Sequence, residues 1–153
     1  MNDSAKVTIA LLLIVLSIAQ SGCDSGVVEK PMDEAYASGI VPVQLTDANF
    51  QAEVIESDLS VLVDMWAPWC QPCIEMKPAL RDLASDLLGQ VKVAELNIDE
   101  NLFIKQKYNV EQYPTLLIFV DGVEVHRTIG LQSKLELLEV LKNHAPFQVT
   151  GNP

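Results

Sequence analysis

The chain is poor in basic residues, in cysteine and in histidine. Its 153 residues hold 10 lysines and arginines against 21 aspartates and glutamates, a net charge of −11. Nucleic-acid binding needs basic patches, so this balance argues against a DNA or RNA partner. Three cysteines and two histidines are few ligands from which to build a metal shell. Long apolar runs are scarce too. The leading one, Val7 to Ala19, has thirteen residues interrupted by Thr8 and Ser17, short of the about 20 that a membrane span needs. No internal repeat is present, and the length suits one domain of ordinary size.

What is there begins with that run. Lys6 precedes it and Ser21-Gly22 close it before Cys23, the layout of a secretory signal. Small residues directly before a cysteine resemble the processing site of bacterial lipoproteins, in which the cysteine is lipidated and becomes the first residue. The resemblance implies a signal peptide over residues 1–22 and lipidation at Cys23. Gln20 departs from it, standing where a branched aliphatic residue is usual, and Asp3 offsets the charge of Lys6. An uncleaved signal anchor, or export with a spare thiol, is the alternative. Both leading readings tether the protein outside the cytoplasm. Asp24 after the cysteine resembles a signal for retention on the periplasmic face of the inner membrane. Residues 23–39 are acidic, contain Gly26, Pro31 and Gly39, and read as a flexible tether. A folded domain is expected over 40–145 and a disordered tail over 146–153.

Within the domain, strand and helix signals alternate. Strands are expected over Val41–Leu45, Val61–Trp66, Val91–Ile98, Thr115–Val120 and Val123–Thr128, the last two joined by an Asp121-Gly122 hairpin turn. Thr46 can cap a helix over Asp47–Ile55. Cys73–Leu88 reads as a helix broken or kinked at Pro78, and Glu100–Tyr108 as a short one. Ser133-x-x-Glu136 forms a capping box opening a last helix with Leu135, Leu138 and Leu141 inside. The order β-α-β-α-β-α-β-β-α predicts an α/β fold, a mixed central β-sheet with helices on both faces.

The chemistry is concentrated in Trp69-Cys70-Gln71-Pro72-Cys73. A Cys-x-x-Cys at a strand-to-helix junction sets two thiols one turn apart at a helix N-terminus. Unpaired N–H groups and the helix dipole favour a negative sulfur there. A thiolate is the species that attacks disulfides, so Cys70 is the candidate nucleophile and Cys73 the resolving thiol. Pro72 suits the first turn, where its missing N–H is not needed. A structural bridge is a weak alternative, since closing so short a loop removes little chain entropy. Half a zinc shell is another, but it would need two more ligands, and His126 and His144 have no spacing that suggests a pair.

Asp64 interrupts the apolar run Val61-Leu62-Val63-Asp64-Met65-Trp66, on the same strand face as Leu62 and Trp66. A carboxyl buried without a cation holds its proton to higher pH. It can then serve as the base for Cys73. A carboxylate satisfied by backbone N–H groups or a lysine is the bland alternative. Tyr113-Pro114-Thr115 puts a proline directly before a strand, which suits a special turn, often a cis one; a trans proline ending a loop is the rival.

From Val43 to about Asn143 the chain resembles thioredoxin. The matching stretches are Val-Asp-Met-Trp-Ala-Pro-Trp-Cys-Gln-Pro-Cys, Ala-Glu-Leu-Asn-Ile-Asp-Glu-Asn, Tyr-Pro-Thr-Leu-Leu-Ile-Phe and Asp-Gly-Val-Glu-Val. The resemblance implies a thioredoxin fold with strands 1, 3 and 2 parallel and the final hairpin antiparallel to them. It implies a cis Pro114 facing the cysteines, with substrate met by Trp69, Pro72, Tyr113, Pro114, Thr115 and Gly130, and Trp66 beside the site. It also implies a monomeric thiol–disulfide oxidoreductase needing no metal, flavin or nucleotide, only the redox-active Cys70–Cys73 pair. The partners would be protein disulfides or dithiols and a membrane electron donor. The likeness favours a protein-disulfide reductase, while an oxidising periplasm would favour an oxidase or isomerase. A non-catalytic binding or metal-carrying module is the remaining reading. Gln71 replaces the family's glycine, and Glu95 stands where many relatives carry a lysine near the buried acid.

Overall fold

The computed structural model describes residues 41–147; the predicted signal, Cys23, the tether and the last six residues of the tail lie outside them. The sheet has five strands: β1 (Val43–Leu45), β2 (Ser60–Trp66), β3 (Val91–Asn97), β4 (Thr115–Val120) and β5 (Val123–Ile129). Their spatial order is β1-β3-β2-β4-β5. β1 and β2 pair with β3 in parallel, and β4 runs against both β2 and β5. The expected mixed sheet is therefore present with one correction. Only β4 opposes the first three strands; β5, reversed again by the hairpin, shares their direction.

Because β2 is central, both its faces are covered, and it reads as a nearly continuous apolar run. Val61, Val63 and Met65 enter a cluster with Phe50, Ala94, Leu96, Leu117 and Phe119. Leu62 points the other way, among Met76, Leu80, Leu83, Val93, Ile118, Leu137 and Leu141. The helices α1 (Gln71–Asp86) and α3 (Lys134–His144) cover that second face. The first is closed by a helical turn at Gln51–Ile55 and by α2 (Leu102–Lys107).

Several boundaries differ from the sequence expectation for local reasons. Thr46 does accept the Asn49 N–H, at 3.2 Å, and Asn49 returns the bond to the Thr46 N–H at 2.6 Å. Yet the following segment winds widely, with the Glu56 N–H reaching the Gln51 carbonyl, instead of continuing a regular helix from Asp47. Asp47 is drawn away to cap α2, accepting the N–H groups of Phe103 and Ile104 at 3.1 and 3.0 Å. α1 runs unbroken through Pro78. Leu135 is 74 % exposed, and Leu137 and Leu141 are the buried pair of α3. At 3.6 residues per turn, positions 135 and 141 lie about 120° apart on the helix, so both cannot face the sheet. Phe147, assigned to the tail, packs partly buried against the same core.

Candidate active site

The end of β2 delivers the chain into a tight loop, where the Cys70 N–H donates to the Ala67 carbonyl at 3.1 Å. Cys70 leaves that loop in an extended conformation (φ −85°, ψ 99°) and caps α1. Its sulfur accepts the Cys73 N–H at 3.3 Å. That bond is an N-cap made by sulfur, and the donor would meet a thiolate at the positive end of the helix. Pro72 lies in the first turn, with Gln71 exposed ahead of it. Cys70 and Cys73 are joined as a disulfide, with Cα atoms 5.3 Å apart. Cys70 retains 5 % exposure and Cys73 none, so an incoming sulfur can meet Cys70 alone.

Two segments frame the disulfide. Trp69, 62 % exposed, is fixed by a bond from its Nε1 to Asp99 Oδ2 (2.9 Å) and by an edge-on contact with the Tyr113 ring at 5.5 Å. The Tyr113–Pro114 peptide is cis, and the Gly130 N–H donates to the Pro114 carbonyl at 2.9 Å. Gly130 has a φ of +98°, a conformation that side-chain-bearing residues rarely adopt. Three separate loops, after β2, before β4 and after β5, thus meet at one end of the sheet.

Asp64 lies on β2 with no exposed surface, and neither of its carboxylate oxygens has a hydrogen-bond partner among the described residues. It stands opposite Glu95 of β3 in the sheet register. Burial, reinforced by the negative Glu95, pushes its pKa up to about 8, and Lys77 opposes the shift. Lys77 reaches in from α1 to pair with Glu95 and lies over the Trp66 ring, 3.6 Å from its centroid. Glu95 does neighbour the buried acid, and the cation absent from β3 is supplied by the helix.

Residues 41–143 match the family model described as thioredoxin. The chain belongs to the thioredoxin family. Thioredoxin of Rickettsia bellii is 42 % identical over 100 residues, covering 65 % of this chain and 95 % of that protein. Thioredoxin 1 of Synechococcus elongatus is 42 % identical over 104 residues, or 68 % and 97 %. Thioredoxin of Rickettsia felis is 45 % identical over 95 residues, or 62 % and 90 %. Membership, together with the close cysteine pair, makes this thioredoxin-family chain an oxidoreductase suited to disulfide reduction.

Most of the residues singled out in the sequence lie around this thioredoxin site. Cys70, Cys73, Trp69, Pro72, Tyr113, Pro114 and Gly130 belong to the three converging loops or the helix start; Asp64 and Trp66 lie on β2 behind them. Thr115 follows Pro114 at the start of β4; the residue is 1 % exposed and its hydroxyl donates to the Gln112 carbonyl at 2.6 Å, so its side chain turns inward. His126 and His144 stack on one another, ring centroids 3.8 Å apart. Sequence reading missed Lys77 and Asp99. Lys77 falls four residues after Cys73, one turn along α1 on a neighbouring face, and that spacing was the available signal. Asp99 had none, since its bond to Trp69 spans 30 positions.

Proposed function

We propose that the protein is a protein-disulfide reductase working outside the cytoplasm, held at the membrane by lipid on Cys23. The observation that carries the exchange chemistry is the Cys70 sulfur at the mouth of α1, bonded to the Cys73 N–H and alone of the pair in reach of solvent. In the reduced enzyme the Cys70 thiolate attacks one sulfur of a substrate disulfide. That bond breaks, the other substrate sulfur leaves as a thiolate, and a mixed disulfide forms. Cys73 gives its proton to Asp64 and attacks the Cys70 sulfur. The mixed bond breaks, the second substrate thiolate leaves, and two electrons have passed to the substrate. The Cys70–Cys73 disulfide that remains is the state of the pair in this structure. A dithiol donor at the membrane would return it to the reduced form.

Trp69, Tyr113, Pro114 and Gly130 supply the rim that an extended substrate segment would meet, with Pro72 on the helix side. The tether is supported by Ser21-Gly22-Cys23 and by the family match beginning only at residue 41. No cofactor beyond the cysteine pair enters this scheme, and a monomer suffices for it.

The test is reduction of insulin disulfides with dithiothreitol as donor. Activity should vanish in Cys70→Ser, whereas Cys73→Ser should accumulate mixed disulfides on Cys70. Retained turnover in Cys70→Ser would sink the mechanism. A measured potential more reducing than that of the trapped substrates would establish the direction; a more oxidising one would reassign the protein as an oxidase.

A further inference from the structure

A groove of about 630 Å³ runs between α1 and the loop that enters α3. Pro78 and Ala79 of α1 and Leu131 of the loop give it an apolar floor, Leu131 being 49 % exposed. Glu75 and Asp82 of α1 and Glu136 of α3 stand along it. Lys134 lines it too, but its ammonium is bonded to Asp86 at 2.7 Å, so its charge is cancelled from its own side. Hydrogen bonds from the Ser133 hydroxyl and N–H hold the Glu136 carboxyl below the usual carboxylate range, keeping it anionic. The groove is therefore a strip of apolar surface edged with negative charge.

It starts near the site by way of the loop after β5. Leu131 directly follows Gly130, which is bonded to Pro114, and Glu75 lies in the first turns of α1, on the side of the helix away from the buried Cys73. We propose that this groove seats a lysine- or arginine-bearing stretch of the protein substrate next to the disulfide being reduced. Lysine and arginine match both halves of the surface. Their aliphatic stems can lie on Pro78, Ala79 and Leu131 while their charged ends reach the acids. Other occupants fit less well. Residues 24–39 of this chain carry four acids against Lys30, and a second copy would bring a further net charge of −11; both are repelled. Exposed charges of this kind act mainly on the rate of productive encounter and weaken with salt.

The inference rests on the exchange reading above and is tested separately from it. Two disulfide peptides, identical except for lysines or glutamates flanking the cystine, are offered to the full-length protein with dithiothreitol as donor. At low salt the wild type should reduce the lysine peptide with a kcat/KM on the order of tenfold higher, and the difference should shrink at high salt. Glu75→Lys with Asp82→Lys should abolish the preference. Glu56→Lys with Asp58→Lys alters net charge equally at the loop entering β2, at the other end of the sheet, and should keep it. All three proteins should reduce a small uncharged disulfide alike. Equal loss in both double variants would assign the preference to the overall field, and no loss in either would remove the groove from recognition. Either result overturns the proposal. A wild-type dimer that dissociates only in the groove variant would give the groove to a second copy and overturn it as well. Failure of the wild type on the uncharged disulfide would instead remove the exchange reading, and this inference with it.

Discussion

Asp64 sits between opposing influences. Its ordinary value of 3.8 is raised to about 8 by burial and by Glu95, against Lys77. Between those two values the folded state holds a proton that the unfolded chain has lost, so stability falls as pH rises through the window. Asp64→Asn should accordingly raise Tm by the equivalent of a few kcal/mol above about pH 8 and leave it nearly unchanged below about pH 4. Thermal melts at the two pH values check this; an equal gain at both would contradict it. The same carboxyl should govern the resolving step, whose rate should rise with pH and level off above about pH 8. Lys77→Met should shift that midpoint upward by removing the opposing cation. Glu95→Gln should shift it downward, by removing a negative neighbour and leaving Lys77 unpaired. Stopped-flow decay of a trapped mixed disulfide reads both shifts. The acid itself was legible in the sequence because a charged residue inside an apolar strand has few explanations. Glu95 was legible through the family resemblance, and strand pairing sets it opposite Asp64; Lys77 was not, because it comes near only once α1 lies across the sheet.

At the scale of the element, the caps separate what is local from what is not. Ser133 and Glu136 exchange bonds within one turn, so the motif was readable directly, and Ser133→Ala should cost about 1 kcal/mol in a denaturant titration. Asp47 caps α2 from 56 positions away, and Asp47→Ala should cost a similar amount, about 1 kcal/mol, although nothing local marks it as a cap. The β4–β5 turn shows the same division. Asp121-Gly122 announces a hairpin by composition. Only the packed molecule reveals that a Cβ on Gly122 would lie 2.4 Å from the Ile55 carbonyl oxygen, at a φ of +74°. Gly122→Ala should therefore destabilise by more than about 1 kcal/mol, visible as a lower denaturant midpoint with an unchanged slope.

At the scale of the molecule, one sheet separates two apolar clusters and gathers three loops at the C-terminal end of β2 and β3. The cysteines, the cis Tyr113–Pro114 peptide and Gly130 are far apart in sequence, yet they form one rim because β4 enters the sheet directly beside β2. If Cys23 carries the lipid, Cys23→Ser should move the protein from the membrane fraction to the soluble exported fraction and leave turnover of a small disulfide intact. Retention at the membrane would favour the uncleaved anchor instead.

The sequence by itself determined the fold class, the redox pair and the buried acid. Each rests on short-range pattern: apolar periodicity, two thiols one helical turn apart, one carboxyl in an apolar strand. Tertiary structure decided which cysteine solvent can reach, which cation balances Glu95, and that Thr115 turns inward. It alone assembled the acid-edged groove between α1 and α3. Those features depend on distances between segments many residues apart, and such distances are fixed only when the helices pack on the sheet.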